Sequence, residues 1–172
     1  MQHKVSALAL AAIGLVGFAG SLQADDREDA LRSVTPIYQA EEAALNRPGS
    51  NLREAFAHYT PALQDRLAAS FERGRQQYSP ERFAISLASS RFEDGVLTVM
   101  WRVTALVTDG AFPARVSQDC EDQWRQEDGR WVAFNFRRVS PLQVVKAHDS
   151  GEAQRLRYGV LSGSLQKTAS LR

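Results

Sequence analysis

Between residues 83 and 139 the chain alternates apolar and polar side chains with a period of two, and turn residues interrupt the alternation at regular intervals. Phe83, Ile85 and Leu87 alternate with Ala84, Ser86 and Ala88. In residues 96–108, Leu97, Val99, Trp101, Val103, Ala105 and Val107 fall on one side, with Thr98, Met100, Arg102, Thr104 and Leu106 on the other. Residues 114–126 put Val116, Cys120 and Trp124 on one face and Arg115, Asp119, Glu121 and Arg125 on or near the other. Residues 130–139 close the series. Successive side chains of a strand point to opposite faces, so this period specifies strands with one buried face. Glu93-Asp94-Gly95, Asp109-Gly110 and Glu127-Asp128-Gly129 stand between the runs. Asp-Gly suits the two-residue hairpin turn that matches strand twist. The expectation is an antiparallel meander of about four strands.

Upstream the period changes to that of a helix. Leu31, Val34, Ile37, Tyr38, Ala44 and Leu45 lie close to a 3.6-residue repeat over 26–46, with acidic residues crowding the start. Thr35-Pro36 offers an N-cap and first helical position that would split this segment in two. Asn46 to Ser50 supplies breakers, a shorter helical stretch follows over 51–59, and Thr60-Pro61 starts a third helix carrying Leu63, Leu67 and Phe71. Ser79-Pro80-Glu81 reads as a short turn. Helices first and strands afterwards imply an α+β fold, with the helices laid over one face of a curved sheet. After Pro141 the pattern weakens: Glu152–Leu161 reads as a short helix or a late strand, and 162–172 as a polar, fraying end. The expected division is 1–24, 25–140 and an extension over 141–172.

Residues 1–24 have the layout of a secretory signal peptide, with a short positive start at Lys4, an apolar run from Val5 to Ala19, and small residues near a junction. Cleavage is expected after Ala24, with Ala19 as the alternative. The run is too short and too glycine-interrupted for a spanning helix of ~20 residues, so no stable membrane anchor is expected after cleavage. The address is periplasmic or secreted. Loss of Lys4 takes one charge from 21 basic residues and leaves the 20 acidic ones. The mature chain is then formally neutral, which argues against a nucleic-acid partner.

Chemistry-bearing motifs are sparse. The single cysteine excludes an internal disulfide framework and a cysteine-based zinc site. Flanked by Asp119 and Glu121, Cys120 reads as a small buried residue rather than a reactive thiolate, with an intermolecular disulfide as the rival. His58 and His148 lack ligand spacing, so neither a metal nor a cofactor is expected. No nucleophile elbow, P-loop or dinucleotide fingerprint is present. The aromatics Trp101, Trp124, Trp131, Phe134 and Phe136 either fill the core or line a cavity, with Arg102, Asp119, Gln123 and Asn135 as its polar groups. Arg102 is a charge inside an apolar strand. Pointing inward it needs a partner such as Asp119 or Glu121; pointing outward it is solvated. Arg137-Arg138, interspersed with Asp122, Glu127 and Asp128, read as a salt-bridged surface rather than an anion site.

The order of elements, the segment Tyr59-Thr60-Pro61-Ala62-Leu63 and the hairpin phrase Asp122-Gln123-Trp124-Arg125-Gln126-Glu127-Asp128-Gly129-Arg130-Trp131 together resemble the nuclear transport factor 2-like superfamily, the cone shared with ketosteroid isomerases and polyketide cyclases. The resemblance covers about residues 26–140. It implies a pocket between the sheet and the first helices, and often a homodimer through the open sheet. Enzymatic members place a Tyr on the first helix with a carboxylate after it. Tyr38 lies on that helix and Glu41 and Glu42 follow, but no motif aligns them, so no catalytic role carries over. The leading expectation is an exported, non-enzymatic module binding a small apolar ligand or a protein partner. The alternatives are a cofactor-free isomerase, cyclase or hydrolase-type enzyme using a pocket carboxylate with Tyr38 or His58, and an envelope-assembly component using its C-terminal tail.

Overall fold

Among the described residues, three helices precede a five-stranded antiparallel sheet, and a fourth helix follows it. The computed structural model describes residues 13–78, 80–109 and 111–162, and the side chains of 24–78, 80–108 and 111–160. The helices are α1 (Ile13–Asn46), α2 (Leu52–Ala55), α3 (Pro61–Tyr78) and α4 (Ser150–Ser162); the strands are β1 (Pro80–Glu93), β2 (Val96–Asp109), β3 (Phe112–Glu127), β4 (Arg130–Arg138) and β5 (Gln143–Lys146). The α+β class and the four-strand meander order β1-β2-β3-β4 agree with the alternation in the sequence.

Two of the hairpins are made as their sequences demand. Asp94 and Gly95 have φ of 51° and 77°, and Asp128 and Gly129 have 50° and 75°. Both central residues are left-handed, a conformation that Asp tolerates and Gly adopts freely. Strand β1 is longer than the clear alternation in the sequence. It begins at Pro80, where a short turn is expected, and runs to Glu93 across a register shift between Leu87 and Ser89. β5 was not legible in the sequence, because four residues, all exposed, carry no alternation. It pairs with β3 at Ala114–Ser117, so the extension beyond 140 adds a strand to the sheet.

Helix α1 is continuous across Pro36. The ring lacks a donor and costs the helix one hydrogen bond. The turns on either side are held by Val34 and Tyr38, both fully buried, so packing overrides the break. Ala30, Val34, Tyr38, Glu41, Glu42 and Leu45 make its buried stripe, at spacings of three and four. The same helix runs through Ala24, the expected leader junction. Residues 1–12, within the expected leader, and 163–172, within the expected fraying end, lie outside the described residues. Among the described ones, no helix is long and apolar enough to cross a membrane.

The main core lies between the inner face of the sheet and α1–α3. Phe83, Ile85, Leu97, Val99, Trp101, Cys120, Trp124 and Ala133 meet Val34, Tyr38, Phe56, Tyr59 and Leu67. On the outer face, Ala84 and Leu106 pack with Val160 and Leu156 of α4. Two side chains of α1 reach the backbone of β1. Asn46 donates to Phe83 O at 2.9 Å and accepts from Phe83 N at 2.8 Å, and Glu42 accepts from Ile85 N at 2.8 Å. Across the sheet, Thr60 N donates to Ala133 O, and Ala133 N to His58 O, each at 2.9 Å. These bonds bring Tyr59 to the far side of the core.

Candidate functional site

A shift in the β3–β4 register decides which side chains share the inner face. Gln123 faces Asn135, but Trp124 faces Ala133, so Phe134 is the extra residue of a bulge. The bulge puts Ala133, Phe136 and Arg138 towards the helices. Phe134 does not join the inner aromatics; the Arg125 guanidinium lies 4.7 Å from its ring centre.

Two features lie side by side on the inner face. The first is a groove between α3 and the sheet, of about 410 Å³. Leu67, Phe71, Phe83, Trp101, Val103 and Phe136 are its main apolar walls, with Cys120 among the lining residues. Burial, with Asp122 second, pushes the Cys120 thiol up to about 12. It is an inert wall residue, as the sequence suggested, although burial outweighs the neighbouring carboxylates.

The second feature is a polar cluster sealed beneath α1. Asp122 Oδ2 accepts from Tyr38 Oη at 2.7 Å and from Tyr59 Oη at 2.8 Å. Trp124 Nε1 donates to Tyr38 Oη at 3.0 Å. Tyr38 stands 5.7 Å from Trp101 and 5.6 Å from Trp124, centre to centre, and Tyr59 is 5.6 Å from Trp124. Glu41 is fully buried with both carboxyl oxygens unpartnered, and Asp122 Oδ1 lacks a hydrogen bond. Burial raises the Asp122 carboxyl to about 7, because the two tyrosine hydrogen bonds only partly offset the lost hydration. Burial, and then Asp122, push Glu41 well above the usual carboxylate range. Tyr38 and Tyr59 are likewise raised, first by burial. Both carboxyl shifts favour the neutral carboxyl, the form that burial penalises least.

The residues expected to line one pocket are divided by the sheet. Trp101 lines the groove, whereas Trp124 and Tyr38 belong to the sealed cluster. Arg102 does not enter the interior. It lies on the outer face, half-exposed, and pairs with Asp119 across the strands at 2.6 and 3.1 Å. The pairing lowers the Asp119 carboxyl, chiefly through the hydrogen bond. Gln123 and Asn135 also fall outside the groove, joined at 3.0 Å as an exposed pair. Alternation is the reason: each of these four is one residue out of step with Trp101, Cys120, Trp124 or Phe136. Exchange of Arg102 for Gln should lower stability by less than about 1 kcal/mol in urea unfolding, as for other solvated pairs. A larger loss would mean that the outer face is covered.

His58 is exposed, and among the described residues no three His, Cys, Asp or Glu side chains converge as metal ligands. Two members of the sealed cluster were missed in the sequence. Asp122 reads as part of an interspersed acidic surface and Tyr59 as the lead-in to a helix. Parity with Cys120 and Trp124 was the signal for Asp122. For Tyr59 there was none, since its place depends on the long-range bonds at Ala133.

No family model matches the chain, and no curated protein matches it. Among solved structures, it is similar to the solution structure of a SEC-C motif-containing protein from Rhodopseudomonas palustris, at 13% identity, a TM-score of 0.39, and coverage of 64% of this chain and 92% of the other.

Proposed function

We propose that the chain is an exported, non-enzymatic binding module of the nuclear transport factor 2-like kind, and that the groove between α3 and the sheet is its ligand site. The supporting observation is the groove itself. Its volume of about 410 Å³ falls within the ~300–1,000 Å³ common for small-ligand sites, and its walls are mostly apolar. Trp101 supplies a large wall, and Tyr78 and Leu142, both exposed, stand among the lining residues.

The test uses the neutral fluorescent probe N-phenyl-1-naphthylamine. Binding should raise its emission and quench tryptophan fluorescence through Trp101. Val103→Trp and Ala105→Phe, which fill the groove from β2, should each weaken probe binding by about tenfold or more, as a steric clash does. Near-ultraviolet circular dichroism identifies which variants remain folded. Failure of the wild-type protein to bind the probe, or full binding by both folded variants, would refute the groove reading.

The alternative of a cofactor-free enzyme draws on one observation, the 2.7 Å contact between Tyr38 and Asp122. General acid–base work needs a carboxylate that substrate can reach. Asp122, Glu41 and Tyr38 are fully buried and none of them lines the groove, which favours binding over catalysis.

A further inference from the structure

Several arginines of this surface meet a carboxylate. Arg53, Arg91, Arg102, Arg125, Arg137 and Arg157 each have one within ion-pair distance. Three near the groove do not. α3 carries Arg66, Ser70, Arg73 and Gln77 at spacings of four, three and four, so they form one stripe along the helix. Arg138 meets that stripe from β4, where the bulge has turned it inward, and its Nη2 donates to Ser70 Oγ at 2.8 Å. Arg66 Nη2 donates to Phe136 O at 3.3 Å, with its guanidinium 6.0 Å from the centre of the Phe136 ring. Arg66, Arg73 and Arg138 have no carboxylate partner among the described residues. Arg137 is held by Glu121 at 2.7 and 2.8 Å, so it is already neutralised.

These three arginines, together with the paired Arg137, line a second concavity of about 400 Å³, which shares Leu67, Ser70, Arg73, Phe136 and Arg138 with the apolar groove. Among the described residues, no aspartate or glutamate lines either one. Three like charges gathered beside apolar surface without a counter-charge repel one another, and an anion removes that cost. Guanidinium groups match a planar carboxylate through paired N–H donors. The mixed surface sequence of this region had suggested a salt-bridged face. Asp122 turning into the core and Arg138 turning towards the groove undo that balance.

We infer that the groove binds a long-chain carboxylate, with the acyl chain against Leu67, Phe71, Trp101 and Val103 and the carboxylate on Arg66, Arg73 and Arg138. This rests on the groove being a ligand site, as proposed above. The chain and the head have separate walls: apolar floor from the sheet, cationic rim from α3 and the end of β4. A neutral alcohol of the same length would fill the floor and leave the rim unmatched.

Competition against N-phenyl-1-naphthylamine, below micellar concentrations, tests this with dodecanoate, 1-dodecanol, dodecyltrimethylammonium and acetate. Dodecanoate should bind about tenfold more tightly than dodecanol, the advantage of one good charge-assisted contact. The cationic amphiphile should bind more weakly than either, and acetate should leave the probe in place. The ratio of dodecanoate to dodecanol affinity should fall towards one in Arg73→Gln and Arg73→Gln/Arg138→Gln, and should persist in Arg130→Gln. It should also shrink as salt is raised, as screened charges do. Arg73 has no side-chain partner among the described residues, so its exchange keeps the test open if the double variant does not fold. Equal affinities for dodecanoate and dodecanol with the probe still bound would overturn the carboxylate inference and leave the groove reading standing. Competition by acetate at the same concentrations would reduce the rim to a bare anion site and overturn it too. Absence of probe binding would remove both.

Discussion

Urea unfolding should show a protein that is more stable at pH 5 than at pH 8, by about 3 kcal/mol from Asp122 alone. Asp122 titrates at about 7 in the fold against an ordinary value of 3.8. Its folded-state pKa is raised, so between these values the folded chain holds a proton that the unfolded chain has released. Stability on this account is fully present below about pH 4 and is lost as the pH rises through 7. Glu41, also raised, acts in the same direction. Asp119 and Glu121, whose carboxyls are lowered by Arg102 and Arg137, act in the opposite direction but below this window. Asp122→Asn should remove its share of the slope between pH 5 and 8, and Glu41→Gln in the same chain should reduce the slope further. Stability that is level or climbs over that range in the wild-type protein would mean that water reaches these carboxyls.

The second large effect is expected at Trp124. Replacement by Ala should cost about 3–5 kcal/mol, as for other buried tryptophans, out of a total that is commonly ~5–15. Trp124 is fully buried, packs on both Tyr38 and Tyr59, and donates to the hydroxyl that in turn holds Asp122. Its loss opens a cavity and removes a donor from a buried network at once. The urea midpoint and near-ultraviolet circular dichroism measure it. A loss below about 1 kcal/mol would show that the cluster does not hold α1 to the sheet. Trp131 provides the comparison. It is half-buried and packs on Phe92 at 6.4 Å, so the same exchange there should cost less.

The meander was legible because its information is local. Period-two alternation sets the faces, and Asp94-Gly95 and Asp128-Gly129 set the turns. The site was less legible for three physical reasons. The bulge at Phe134 changes which residues of β4 face inward, and one extra residue leaves no mark in the composition. Tyr59 reaches the cluster only through backbone bonds to Ala133, seventy-odd positions further along the chain. Asp122 is a charged residue type in a core position, and residue type misled where parity would have placed it. Arg102 shows the converse. Both of its possible directions were open from residue type, and parity with Trp101 gives the outward one.

The bonds from Asn46 and Glu42 to Phe83 and Ile85, and those of Ala133 with His58 and Thr60, have a consequence for how this molecule meets others. Strands β1 and β4 are the outer members of the meander, and each has backbone groups facing away from the sheet. An uncovered outer strand is a template on which another chain can add its own strand. Here side chains of α1 occupy that template on one side, and the segment between α2 and α3 occupies it on the other. A sheet with 14-residue strands and a run as apolar as Val103–Val107 is thereby closed to sideways growth at both places. A second copy that docks at these positions must approach a face of the sheet rather than prolong it.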